Sequence, residues 1–231
     1  MLDNINENKL LFLDIETTGT LEEMEQNNET LHQLWDNTGD SYFRRHYLED
    51  ARLSSSELFK KYSALLPEFG RVVCISVGFL LKGGEKKLQS FSKGSEKDIL
   101  TEMADLLVRV SKLDFTLCGH NLKTFDLPYL GKRMLINGVK PPNILPSHDT
   151  KPWEIKALDT KEMWNFGSFK GLSSLHLDCT LLGVESPKLG EVKGSNIHKS
   201  FYIDNNINEI TKYCERDVEC LIDIVSKVKN L

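Results

Sequence analysis

The sequence predicts an α/β fold, a mixed sheet of about five strands with one antiparallel, flanked by helices. Three observations carry this reading. Short apolar runs alternate along the chain with segments of helical periodicity. Two runs, 71–81 and 86–91, are joined by Lys82-Gly83-Gly84-Glu85, a hairpin signature. The first run, Leu10–Gly19, is largely apolar on both faces, as suits a central strand covered on both sides.

The elements follow in order. After the first strand comes a polar, acidic stretch, 20–50, with Glu22, Glu23, Glu25 and Glu29 beside Leu34, Trp35, Tyr42, Phe43 and Tyr47. The acids read as a solvated face and the aromatics as a segment that packs down. Residues 20–66 are therefore expected to be a helical or loop insertion in a single domain spanning 1–231. Ser54 and Glu57 form a capping box ahead of Leu58, Phe59, Tyr62, Leu65 and Leu66, a helix ended by Pro67. Ser95 with Asp98 opens a second helix, whose stripe is Ile99, Leu100, Met103, Leu106, Leu107 and Val110. Residues 115–119 read as a short buried strand. Asp126 reads as the N-cap of the next helix, with Pro128 in its first turn and Gly138 past its end. Residues 141–153 read as a loop, 155–159 as a strand, and 173–182 as a helix closed by Gly183. Residues 190–202 read as a polar loop, and 206–228 as the last and longest helix.

Composition narrows the function. The chain has 231 residues, 40% of them hydrophobic, enough for a proper core. Its net charge of −5 gives no overall basic field, so a phosphate-bearing partner would be met by a local patch or by metal ions. The five cysteines (Cys74, Cys118, Cys179, Cys214, Cys220) form no C-x-x-C pair and read as reduced thiols of a cytoplasmic protein. The N-terminus is polar and acidic, and no apolar run approaches a membrane span, so no membrane partner is expected.

The chemistry-bearing residues fall in three places. In the first strand side chains alternate, so Phe12, Asp14 and Glu16 share one face and Leu11, Leu13 and Ile15 the other. Two acids on one face of a buried strand repel each other and lose hydration, unless a cation sits beside them. Hard divalent ions such as Mg²⁺ take carboxylate oxygens, so the pair reads as half of a metal site. The second place is Gly119-His120-Asn121-Leu122-Lys123-Thr124-Phe125-Asp126, which opens at the C-terminal end of a buried strand. Taken alone, Asp126 reads as a cap, Asn121 as a turn residue and His120 as a structural histidine. The third place is the last helix, where Ile210, Tyr213, Asp217, Cys220, Leu221, Ile224 and Val228 form one stripe. Asp217 interrupts that apolar stripe and needs a partner.

Asp-x-Glu on a strand, an acid after Asn and Phe, and Tyr-x-x-x-Asp on a late helix occur in that order. The combination resembles the DEDD superfamily of 3′–5′ exonucleases, with its ribonuclease H-like fold. Tyr213, four residues before Asp217, resembles the tyrosine subtype (DEDDy); the histidine subtype would carry His where this chain has Lys212. The step from Asn121 to Asp126 is most similar to the proofreading exonuclease domain of B-family DNA polymerases. Pro67 to Val73 and Ser186-Pro187-Lys188 are similar to a stand-alone bacterial group of that type. Thr124 departs from the Asn usual in the polymerase domains, and the stretch 20–50 has no counterpart. The chain ends at Leu231, so no attached polymerase is expected.

The resemblance implies that Asp14, Glu16, Asp126 and Asp217 hold two divalent ions, Mg²⁺ or Mn²⁺. Two metals about 4 Å apart flank a scissile phosphate, one for the attacking water and one for the leaving 3′-oxygen. Tyr213 would orient the water, since a phenol with a pKa of about 10 is a poor base at neutral pH. The backbone at Thr17 would grip the terminal 3′-hydroxyl, with Asn121 and Phe125 lining the channel for a single-stranded nucleic acid 3′ end. Lys188, with Lys123, Lys132, Arg133 and Lys193, supplies candidate phosphate contacts. DNA is favoured over RNA by resemblance alone. The same exonuclease fold acting on RNA is the nearest alternative.

Two further readings compete. Asp14 to Thr20 also looks like the first phosphate loop of sugar kinases and actin-like ATPases. Those need a second Gly-rich phosphate loop near an acid, and Gly83-Gly84 sits instead in a hairpin among lysines. A non-catalytic binding module that kept the fold would have no need of all five site residues.

Overall fold

The computed structural model describes residues 2–21, 29–168, 171, 173–186 and 192–231. Its strands are β1 (Leu10–Gly19), β2 (Gly70–Leu80), β3 (Lys86–Phe91), β4 (Thr116–Gly119) and β5 (Ala157–Asp159). Among the described residues they form one five-stranded sheet in the order β3-β2-β1-β4-β5. β2 is antiparallel to both neighbours, and β4 is parallel to β1 and to β5. The sheet is therefore mixed with one antiparallel strand, and its most apolar run lies at the centre. The register of β1 against β2 shifts between Glu16 and Thr17. An irregularity of this kind bends a strand and re-aims the side chains beyond it.

The insertion folds into α1 (Glu29–Trp35), a π-helical turn over Asp36–Asp40, α2 (Ser41–His46) and α3 (Ser55–Tyr62). These short helices pack on an aromatic cluster of Trp35, Phe43, Phe59, Tyr62 and Phe69. Phe43 stacks on Tyr62 at 4.3 Å between ring centroids. The expected capping box at Ser54 and Glu57 is present. The helix stops at Tyr62, before Pro67, because Ser63–Leu65 tightens into a 3₁₀ turn.

α4 (Glu96–Lys112) and α5 (Asp126–Ile136) cover one face of the sheet. Leu11, Leu13 and Ile15 of β1 pack there with Leu100, Met103, Leu107 and Leu130. Each such side chain contributes about 1.5–3 kcal/mol on burial. Glu96 and Arg133 form a buried bidentate pair between these helices, at 2.8 and 2.6 Å. Glu96 also accepts the backbone N–H of Val72 at 2.8 Å, so the pair is hydrogen-bonded on all sides as burial demands.

Further along lie α6 (Thr160–Asn165), α7 (Leu175–Leu182), α8 (Ile197–Tyr202) and α9 (Ile207–Lys229). α9 covers the other face, where Leu10 and Phe12 meet Val218, Leu221, Ile222 and Val225. Gly78 of β2 lets the helix come close, since a Cβ there would lie 2.6 Å from Val218 Cγ1. α8 replaces part of the polar loop expected at 190–202. Its anchors, Ile197 and Phe201, reach the cluster around Cys74, Ile210 and Cys214.

Candidate metal centre

The alternation of β1 carries Asp14 and Glu16 onto the α9 face, in line with Phe12. The side-chain ligand atoms of Asp14, Glu16 and Cys214 all lie within 4.8 Å of one another. The Cys214 thiol donates to the Asp14 backbone oxygen at 3.4 Å and to its Oδ2 at 3.5 Å.

Asp126 and Asp217, from two other elements, lie outside that 4.8 Å group but within electrostatic reach of it. Asp126 is the first residue of α5 and not its N-cap; Phe125 holds the cap position without a side-chain hydrogen bond. The Asp126 carboxylate is drawn instead to β1, where it accepts the backbone N–H of Ile15. It is the strongest charge acting on Asp14. Asp217, 6% exposed, acts on both Glu16 and Asp126. The Tyr213 hydroxyl accepts the backbone N–H of Gly194 and feels Asp217, Glu16 and Asp14.

These surroundings raise the proton affinity of Asp14, Glu16 and Asp126. Burial pushes Asp14 and Glu16 well above the usual carboxylate range, and neighbouring acids push in the same direction. Burial likewise brings Asp126 up to about 8, against two backbone hydrogen bonds that favour its charged form. Tyr213 is raised mainly by burial and then by the acids, so at neutral pH it is a phenol and not a phenolate. Oxygen donors in such conflict suit hard divalent cations, which remove the repulsion and replace the lost hydration.

Asp159 organises the loop between β4 and α5, and sequence reading missed it. Its carboxylate, 3% exposed, accepts the backbone N–H of Asn121 at 2.9 Å, Lys123 at 3.0 Å and Lys161 at 3.0 Å. Asn121 there takes a positive φ of 62°, a conformation Asn tolerates. Its side-chain oxygen accepts from Thr124 at 2.8 Å and Lys161 at 3.1 Å. Phe125 is half-buried against Tyr129, at 5.3 Å between ring centroids. His120 is satisfied by Thr160 at 3.0 Å, with Asp178 at 3.9 Å.

Thr17 donates to the Ala64 backbone oxygen at 2.9 Å, which ties the end of β1 to the end of the insertion. α8 closes the same strand end from another side. His198 shares a 3.1 Å hydrogen bond with Thr18, and Tyr202 donates to the Gly19 oxygen at 2.8 Å. Among the basic residues, Arg133 is taken out of reach of phosphate by Glu96. Lys123 pairs with Glu162 at 2.6 Å and Lys132 with Glu68 at 2.7 Å. Lys193 is exposed. Lys188 and Pro187 lie outside the described residues.

Comparison with known proteins adds the family. Residues 63–220 match the model of a family described as predicted 3′–5′ exonucleases related to the exonuclease domain of PolB. That span holds Asn121, Phe125, Asp126, Tyr213 and Asp217, and begins after Asp14 and Glu16. A family B DNA polymerase from the hyperthermophilic archaeon Pyrobaculum calidifontis is similar in structure. The TM-score is 0.57 at 14% identity, over 95% of this chain and 24% of that one. The chain thus spans about a quarter of that polymerase, and the likeness is one of fold, the ribonuclease H-like sheet. No curated protein matches the sequence. With well over half of its length matched, the chain belongs to the family of predicted 3′–5′ exonucleases related to the PolB exonuclease domain.

Proposed function

We propose that this protein removes nucleoside 5′-monophosphates from the 3′ end of single-stranded nucleic acid, with DNA as the favoured substrate, by divalent-metal-dependent hydrolysis. The observation that carries the reading is the convergence of Asp14, Glu16, Asp126 and Asp217, from three elements far apart in sequence, on one electrostatically strained group. Asp14, Glu16, Asp126 and Asp217 would hold two Mg²⁺ or Mn²⁺ ions. Such ions, when bound, supply an activated water and stabilise the leaving oxygen.

The chain's own residues do the rest. Tyr213, held by Gly194, keeps its proton and orients the water through its hydroxyl. The Thr17 backbone, at the register shift of β1, holds the terminal 3′-hydroxyl. Asn121 and Phe125 border the strand, with Lys188 a further contact. Phe125 offers a stacking surface that tolerates any base.

The test is digestion of matched 3′-labelled and 5′-labelled single-stranded DNA and RNA, with and without Mg²⁺ and Mn²⁺. Release of monophosphates from the 3′ end, dependent on metal and abolished by Asp14→Ala or Asp217→Ala, is expected. Unchanged digestion by those folded variants would refute the reading. Faster digestion of RNA would reassign the substrate to RNA 3′ ends.

A further inference from the structure

We propose that Arg71 and Phe201 form an anion site at the end of β1, which takes one phosphate of the nucleic-acid substrate. The inference rests on the function proposed above and adds to it a contact outside the metal centre. Arg71 is the second residue of β2 and pairs with Thr18 of β1. Its guanidinium lies over the Phe201 ring of α8, 5.5 Å from the centroid.

A break in strand parity aims the side chain there. Ile75 and Val77 belong to the core under α4, so unbroken alternation would send Arg71 into the same apolar layer. The ladder instead matches Glu16 with Cys74 and Thr17 with Val72, which leaves Val73 as an extra residue. Beyond it the faces exchange. Val72 joins the core under α4, and Val73 joins the cluster of Ile197 and Phe201. Arg71 thereby comes to the side of Thr18, whose hydroxyl meets His198 of α8. Thr18 follows Glu16 by two positions, about 7 Å of strand. An extra residue that re-aims a side chain is a device common beside active sites.

The cation so placed lacks a counter-ion. Among the described residues Arg71 makes no ion pair, and its Nε is buried with no hydrogen-bond partner. The stack on Phe201 holds the group without neutralising it. A held guanidinium is a ready donor fork for phosphate. Arg133, Lys123 and Lys132 differ, since each is paired with a glutamate. The substrate supplies the missing charge at Arg71, from an inner phosphodiester or from a phosphate on the 3′ end.

The test is steady-state digestion of labelled single-stranded DNA by the full chain in Mg²⁺, across a salt series. Arg71→Gln should raise KM about tenfold with little change in kcat. It should also flatten the slope of log kcat/KM against log salt by about 0.7, the share of one single-strand phosphate. Arg71→Lys should recover the slope and part of the KM. A neutral methylphosphonate, placed at one linkage at a time, locates an inner phosphate, because wild type and Arg71→Gln become equal there. A difference seen only on 3′-phosphorylated DNA places the anion at the 3′ end. Thermal unfolding should show no loss of stability in Arg71→Gln, which removes an unpaired cation. A salt slope that Arg71→Gln leaves unchanged, or a fall in kcat at constant KM, overturns the site and spares the proposed function. A wild type that digests neither DNA nor RNA overturns both.

Discussion

Tyr213 keeps its proton because burial and three acids oppose its ionisation. Under the proposed function it orients the attacking water, and Tyr213→Phe should lower kcat about 10- to 100-fold with little change in KM. Steady-state kinetics on a labelled oligonucleotide checks this. Asp159 acts at one remove, by fixing the loop that ends in Asp126. Asp159→Ala leaves three backbone N–H groups unpaired and should cost about 3 kcal/mol in urea unfolding. It should lower kcat as well, through the displaced Asp126. The acid pair was legible because strand parity alone assigns Asp14 and Glu16 to one face. Cys214 and Asp159 were not. Cys214 lies outside the stripe read on the last helix, and Asp159 reads from the sequence only as the end of a strand. Only the fold sets them beside β1 and the β4–α5 loop.

Among the elements, α9 carries Tyr213, Cys214 and Asp217, so its seat on the sheet sets the geometry of the site. Gly78→Ala should push α9 away from β2, because the new Cβ meets Val218 at 2.6 Å. The expected cost is about 1–3 kcal/mol of stability, with a parallel fall in activity. Adding Val218→Ala should restore much of both. Thermal unfolding and oligonucleotide digestion together read this. The hairpin, the two capping boxes and the long last helix were legible, since turn residues and caps are local signals. α8 was not, because six residues flanked by Lys, Ser and Asn carry too little periodicity. Nor was the order of the insertion, whose helices are short and held by aromatic contacts distant in sequence.

Across the whole molecule, four carboxylates distant in sequence lie within electrostatic reach of one another, which couples folding to protons and, under the proposed function, to metal. Asp126 has its proton affinity raised to about 8, so the folded state keeps a proton that the unfolded chain has lost above about 4. The metal-free protein should therefore lose stability as pH rises through that window, and not gain it. Divalent ions displace the protons and should raise Tm most near and above pH 8. Thermal unfolding across pH, in EDTA and in Mg²⁺, checks the sign; a metal-free Tm that climbs from about pH 4 to 8 would contradict it.

That the distant acids together cradle a pair of divalent ions is tested most directly by anomalous diffraction from crystals soaked in Mn²⁺. The account predicts two peaks bounded by Asp14, Glu16, Asp126 and Asp217. Peaks elsewhere, or none at these carboxylates, would contradict it.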